Sequence, residues 1–200
     1  MTVMTATVFG QTFEGEIVYQ NTCVSKLPNV TDQQFTSMMG SSLNYIIKGG
    51  NYKSSTNGTV VQWQLYINKE NKLYNKTSSS EIVFWNDGSA NPDEVLKVEV
   101  KKKVTEILGY KCDEVTLTCK SGIQKYYFNS KMGVDASLFT GHIFGNWYDY
   151  LKVAKAIPLK LIIENTQLTF TSVAIEVKKM KLDDKEFQLP ENVKTAKSPH

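Results

Sequence analysis

Apolar and polar side chains alternate through run after run of this chain, and glycine, asparagine or aspartate breaks each run. A period of two places successive side chains on opposite faces of a strand, so the pattern demands a sheet with at least one dry face. Val60 to Asn68 is the clearest case, with Val61, Trp63, Leu65 and Ile67 set against Gln62, Gln64, Tyr66 and Asn68. Gly49-Gly50-Asn51, between Asn44 to Lys48 and Tyr52 to Ser55, is a hairpin signal because these residues tolerate positive φ. Further runs from Phe13 to Gln20, Leu73 to Lys76, Glu81 to Trp85, Val95 to Val104, Tyr110 to Cys119, Lys125 to Asn129, Leu159 to Glu164, Leu168 to Met180 and Phe187 to Leu189 predict about eleven strands. In the long run from Leu168 the apolar parity moves from Leu168 and Phe170 to Val173, Ile175 and Val177, which predicts a bulge near Thr171 and Ser172.

Only two stretches read as helix. Thr31 is placed to cap the first, with Gln34 three residues on, Val30 and Phe35 as a staple, and Gly40 at its end. The second starts at Asn146 with Asp149 in its first turn, gathers Trp147, Tyr150, Leu151 and Ala154 on one side, and stops before Pro158. Both apolar faces need a partner, and a curved sheet offers one.

Two hundred residues with 41% apolar content can bury one sizeable core, so a single domain over residues 12–192 is expected, with a flexible polar tail at 193–200. Residues 1–11 are small, apolar and uncharged, and read as the remnant of a secretory signal. No window reaches the roughly 18 consecutive apolar residues of a membrane-spanning helix. All 23 basic residues are lysine, and a chain without the planar fork of arginine, at net charge +3, is a poor reader of nucleic acid.

Cys23, Cys112 and Cys119 have no metal spacing. Strict alternation puts Cys112 and Cys119 on opposite faces of one strand, which leaves either a bridge from Cys23 or three buried thiols. His142 is the one plausible catalytic base, yet no nucleophile turn accompanies it, so a non-enzyme with a surface or loop histidine is expected. Neither a metal nor a cofactor is expected. The runs Lys101-Lys102-Lys103 and Lys178-Lys179 read as the polar outer face of a sheet, or as a contact for an anionic membrane surface.

The order of motifs is distinctive. Gly109-Tyr110-Lys111-Cys112 is followed by Lys125-Tyr126-Tyr127-Phe128, Trp147 on a helix, Ile157-Pro158-Leu159, a long strand, and Phe187-Gln188-Leu189-Pro190. In that order it resembles a group of periplasmic proteins placed with the LolA/LolB-like lipoprotein carriers. The likeness runs from about Thr12 to Asn192 and is sharpest over Ile107 to Cys112, Ile157 to Ile163 and Asp183 to Pro190. The resemblance implies a mainly β fold with minor α: a curved antiparallel sheet forming a half-open barrel, with two short lid helices over a concave face that holds acyl chains. It also implies a periplasmic or secreted location. Two features depart from the carriers: the chain has no arginine to work the lid, and no cysteine follows the signal remnant to carry an anchor.

Concave ligand sites are mostly apolar, and methionine adapts to irregular guests. The residues expected to line such a cavity are therefore Phe35, Met38, Met39, Trp63, Leu65, Phe84, Trp85, Phe139, Phe144, Trp147, Tyr150 and Leu151. Each of them is equally readable as ordinary core. The expected function is binding of an apolar ligand such as a lipid or an acyl chain. The alternative is a cell-envelope structural or protein-interaction module without a ligand cavity.

Overall fold

A computed structural model describes residues 12–199, so the signal reading of residues 1–11 lies outside the described residues. The strands are β1 (Gly15–Ser25), β2 (Ser42–Lys48), β3 (Asn51–Thr56), β4 (Val61–Ile67), β5 (Lys72–Thr77), β6 (Val83–Asp87), β7 (Val95–Ile107), β8 (Tyr110–Cys119), β9 (Gly122–Gly133), β10 (Ala156–Asn165), β11 (Leu168–Lys179) and β12 (Thr195–Lys197). The helices are α1 (Asp32–Met39) and α2 (Trp147–Ala154). All twelve strands join one unclosed sheet in the order β12-β6-β5-β4-β3-β2-β1-β11-β10-β9-β8-β7. Every pairing is antiparallel except β12 with β6. The strands expected from the alternation form a mainly β fold, and the open, curved sheet with two short helices is the architecture that the resemblance implies.

Local chemistry sets the turns. Leu108 and Gly109 both take positive φ, 51° and 77°, and close a two-residue hairpin in which Ile107 faces Tyr110. Pro158 enters β10 where its pairing with β9 slips, a place where a ladder can spare an N–H. The capping box of α1 forms as expected: Thr31 Oγ1 accepts from Gln34 N at 3.2 Å, and Gln34 Oε1 accepts from Thr31 N at 2.8 Å. Asn146 does not cap α2 with its side chain; it takes left-handed φ and turns its amide towards Cys119, Asp93 and Asn91.

Four expectations are corrected in detail. The bulge of β11 falls at Ile175, where pairing jumps from Val18–Glu176 to Tyr19–Ala174, so the small residues Ser172 and Ala174 both face inwards. Phe187 to Leu189 is not a strand: Asp183 caps a short 3-10 turn over Asp184–Phe187, which drives Phe187 into the protein. The stretch 193–200, expected as a flexible tail, carries β12, and Ser198 N donates to Trp85 O at 2.8 Å. Cys112 and Cys119 are both buried in the main core rather than parted by the sheet. Opposite them the β7 pairing slips between Lys101 and Thr105, and a bulge of this kind rotates a strand locally. All three cysteines are free thiols.

At β4 and β5 the sheet is dry on both faces. Tyr66 and Leu73 belong to the main core, while their chain neighbours Leu65 and Tyr74 belong to a second cluster with Val83 and Phe187. Adjacent strand residues point to opposite faces, so the two clusters lie on opposite sides of the sheet. The main core is roofed by α2, whose Tyr150, Leu151 and Ala154 are buried. The second is roofed by the segment after β11, through Leu182, Phe187, Leu189 and Val193.

Candidate ligand cavity

Between the two helices the inner face is left uncovered and forms a cavity of about 310 Å³. Strands β1 to β4, β10 and β11 supply its wall, and Met39 of α1 and Trp147 of α2 overhang it. Leu43, Val61, Ile157, Pro158, Leu161, Ile163 and Phe170 give an apolar lining, into which Tyr19, Tyr45 and Tyr52 project.

The tyrosines form a stacked belt. Tyr45 lies 5.3 Å from Tyr52, and Tyr52 lies 5.4 Å from Tyr66, each pair stacked. On the α2 side Tyr126 stacks on Tyr150 at 4.1 Å, with Trp147 tilted against Tyr150 at 5.6 Å. Such pairs contribute about 0.5–1.5 kcal/mol each beyond area burial. Burial pushes the hydroxyls of Tyr19, Tyr45 and Tyr52 well above the usual phenol range, so all three are neutral.

Several polar groups around the cavity are already committed. Tyr19 donates to Pro158 O at 2.7 Å, Asn21 Nδ2 donates to Gly40 O at 3.1 Å, and Gln64 Nε2 donates to Asn75 Oδ1 at 2.6 Å. Others are not. Asn21 Oδ1, Tyr45 Oη, Trp147 Nε1 and Ser172 Oγ are buried atoms without a hydrogen-bond partner, and all four belong to residues lining this cavity.

Of the residues singled out from the sequence, Met39 and Trp147 line the cavity. Phe139, Tyr150 and Leu151 are core beneath it. Trp63, Leu65 and Trp85 sit on the opposite face in the second cluster. Phe144 borders a separate hollow beside Trp85 and Lys197. Phe35, Met38 and Phe84 stand outside the lining, with Met38 exposed. The chain's own signal for the wall was on the face of β4 that looked wet: Gln64 lines the cavity and Tyr66 packs beneath it, while a slip between Val61 and Trp63 returns Val61 to the same side.

His142 is buried at 1% exposure, not a surface residue. Its Nε2 meets Tyr52 Oη at 2.7 Å, and burial holds its pKa down to about 3. Asp149 is engaged with Lys152 at 2.6 Å. Among the described residues no cluster of His, Cys, Asp and Glu is placed to hold a metal, and no helix is long and apolar enough to cross a membrane. Lys101 and Lys102 pair across strands with Glu114 and Asp113, and Lys178 pairs with Glu16 and Glu176. Exposed pairs of this kind contribute little to stability, about 0–1 kcal/mol.

No family model and no curated protein sequence matches the chain. Solved structures do. The structure called PNGF-II superposes with a TM-score of 0.51 and 14% identity over 93% of this chain, which spans about a third (32%) of that structure's length. An uncharacterized conserved protein from Thermus thermophilus gives 0.47 and 6% identity over 92% of this chain and 91% of its own. A LolA superfamily protein from Nitrosomonas europaea gives 0.40 and 12% identity over 90% and 92%.

Proposed function

We propose that the chain is a non-enzymatic binding protein of the periplasm or the secreted space, taking an apolar ligand such as a lipid or an acyl chain into the cavity between α1 and α2. The observation that carries this reading is the lining itself: seven apolar side chains and three neutral tyrosines on a preformed concave face, with a methionine and a tryptophan at its mouth. Concave, apolar, largely preformed hollows of this size are the usual form of small-molecule sites. No lining residue carries a charge that would repel hydrocarbon.

The test is titration with a fluorescent fatty acid. Saturable uptake that disappears in Leu161→Asp, with far-UV circular dichroism unchanged, supports the reading. Uptake that persists in a folded Leu161→Asp protein overturns it. Extraction of the protein from a bacterial periplasm and mass spectrometry of the extract would then identify the ligand class.

A second reading, an interaction module at the cell envelope, has one specific observation in its favour. The edge strand β7 leaves Leu96, Val98 and Val100 exposed at 59%, 39% and 45%. Antiparallel pairing with a second copy about Val98 sets Lys97 opposite Glu99 and Leu96 opposite Val100, a self-complementary edge. A dimer in sedimentation velocity that Glu99→Lys abolishes supports it; a monomer at all concentrations removes it.

A further inference from the structure

Two of the unpaired atoms of the cavity lie side by side. Asn21 and Ser172 face each other across β1 and β11, and Leu161 of β10 pairs with Ser172 on its other side. Tyr45 stands on β2 opposite Ile17, on the far side of Tyr19 from Asn21, and Trp147 comes from α2. On one side of the Asn21–Ser172 row the next inward row is Cys23–Phe170–Ile163, and on the other it is Leu43–Tyr19–Ala174. The Asn21–Ser172 pair is therefore a polar step between two mostly apolar rows, and Tyr45 lies one row beyond Leu43–Tyr19–Ala174.

We infer that the ligand of this cavity is an amphiphile with an uncharged hydrogen-bonding group, an ester or amide carbonyl beside a hydroxyl or N–H, and that this group seats inside the cavity at the Asn21–Ser172 pair, with Tyr45 and Trp147 as further free groups of the same lining. The inference rests on the reading of the cavity as a binding site and narrows its ligand. The complement of free groups is mixed. Trp147 Nε1 can only donate, Asn21 Oδ1 can only accept, and the hydroxyls of Tyr45 and Ser172 can do either. A carbonyl answers the donors and a hydroxyl or N–H answers Asn21.

A plain hydrocarbon answers none of them. It leaves four buried polar atoms as unpaired as they are in the empty cavity, whereas each one that a ligand group answers recovers about 1–3 kcal/mol. A carboxylate or phosphate is excluded from the same place on different grounds. The lining holds no lysine, histidine or acidic residue, so a charge drawn inside would lose its water without gaining a counter-charge. A charged head is left at the mouth, and an uncharged one is drawn in.

Displacement of a bound fluorescent apolar probe from the whole chain tests this, with competitors of one chain length: decane, decanoate, decanoyl monoglyceride and decanoyl ethanolamide. The monoglyceride and the ethanolamide are expected to bind about tenfold or more tightly than decane or decanoate, as one or two added hydrogen bonds provide. Tyr45→Phe and Ser172→Ala remove one hydroxyl each with almost no change of shape. Each should shrink that preference severalfold. Equal affinity for decane and the ethanolamide, with the probe still bound, overturns the inference, assigns the free atoms to water and leaves the cavity reading standing. Absence of saturable binding by the probe and by every competitor overturns both.

Discussion

Tyr52 Oη lies 2.7 Å from His142 Nε2, and the two rings are within 9° of parallel at 5.7 Å. Tyr66 also stacks on the imidazole, at 4.0 Å. The backbone amide of His142 donates to Phe139 O, and its carbonyl accepts from Tyr148 N. This one residue therefore ties the loop that launches α2 to the strands that wall the cavity. Its Nδ1 has no partner, and it is the one buried unpaired side-chain atom of the described residues that lies outside the cavity lining.

The burial of His142 makes stability depend on pH. Its folded pKa, about 3, lies below the unfolded value near 6.5, so between those limits the unfolded chain binds the extra proton. Its contribution is fully present above pH of about 6.5 and is lost as pH falls, at up to about 1.4 kcal/mol per unit. The carboxylates with shifted values, Glu14, Asp87, Asp113 and Glu114 among them, are held below their ordinary range and titrate lower still. Urea unfolding at a series of pH values from about 7 to 5 should show this loss in the native chain and a much flatter profile in His142→Gln. Parallel profiles would refute the assignment.

Gly40 ends α1 at φ 92°, and a β-carbon there would lie 1.7 Å from Thr56 Oγ1 and 2.7 Å from Gly58 N. Gly49 also has positive φ, 57°, but its β-carbon would meet nothing. Gly49→Ala should therefore show only the backbone cost of about 1 kcal/mol. Gly40→Ala adds a clash that must move α1 or the loop after β3, for a total of about 2–4 kcal/mol. Thermal unfolding measures the two totals. Limited proteolysis should show new cleavage between residues 31 and 60 in Gly40→Ala alone.

Strands and caps were legible in this sequence because they depend on neighbours in the chain. Thr31 and Gln34 form their capping box, and the turn at Leu108-Gly109 joins the runs on either side of it. Which face of a strand meets the site depends on what the far end of the chain covers, and local pattern cannot report that. The apolar face of β4, with Trp63 and Leu65, has the pattern expected of a cavity wall, but the segment from Leu182 to Val193 covers it. The face with Gln64 and Tyr66 resembled a wet surface because a neutral tyrosine array packs as core while counting as polar in alternation. Asn21 and Ser172 gave no signal at all, since they become neighbours only through a pairing that links the first long strand to the eleventh.

The second cluster can be separated from the cavity by mutation. Phe187 is 5% exposed and is the largest side chain that the post-β11 segment inserts against Leu65, Tyr74 and Val83. Phe187→Ala should cost about 3–5 kcal/mol, as removal of a buried aromatic ring does elsewhere. Lower denaturation midpoints with unchanged affinity for a fluorescent fatty acid, measured where the variant is still folded, are the expected pair of results. A loss of affinity in the folded variant would show that the two faces of the sheet are coupled.

The three tryptophans divide the same way and supply a direct reporter. Trp147 overhangs the cavity, while Trp63 and Trp85 belong to the opposite face, where Trp85 also lies beneath Lys72 at 4.6 Å. A ligand that enters the cavity must change the surroundings of Trp147 alone. Adding decanoyl ethanolamide to the native chain should shift or quench part of the tryptophan emission, and the change should saturate with the same midpoint as probe displacement. In Trp147→Phe the change should vanish, with affinity reduced severalfold because one hydrogen-bond donor is gone. In Trp63→Phe both the emission change and the affinity should persist. An emission change that survives Trp147→Phe and disappears in Trp63→Phe would place the ligand on the other side of the sheet.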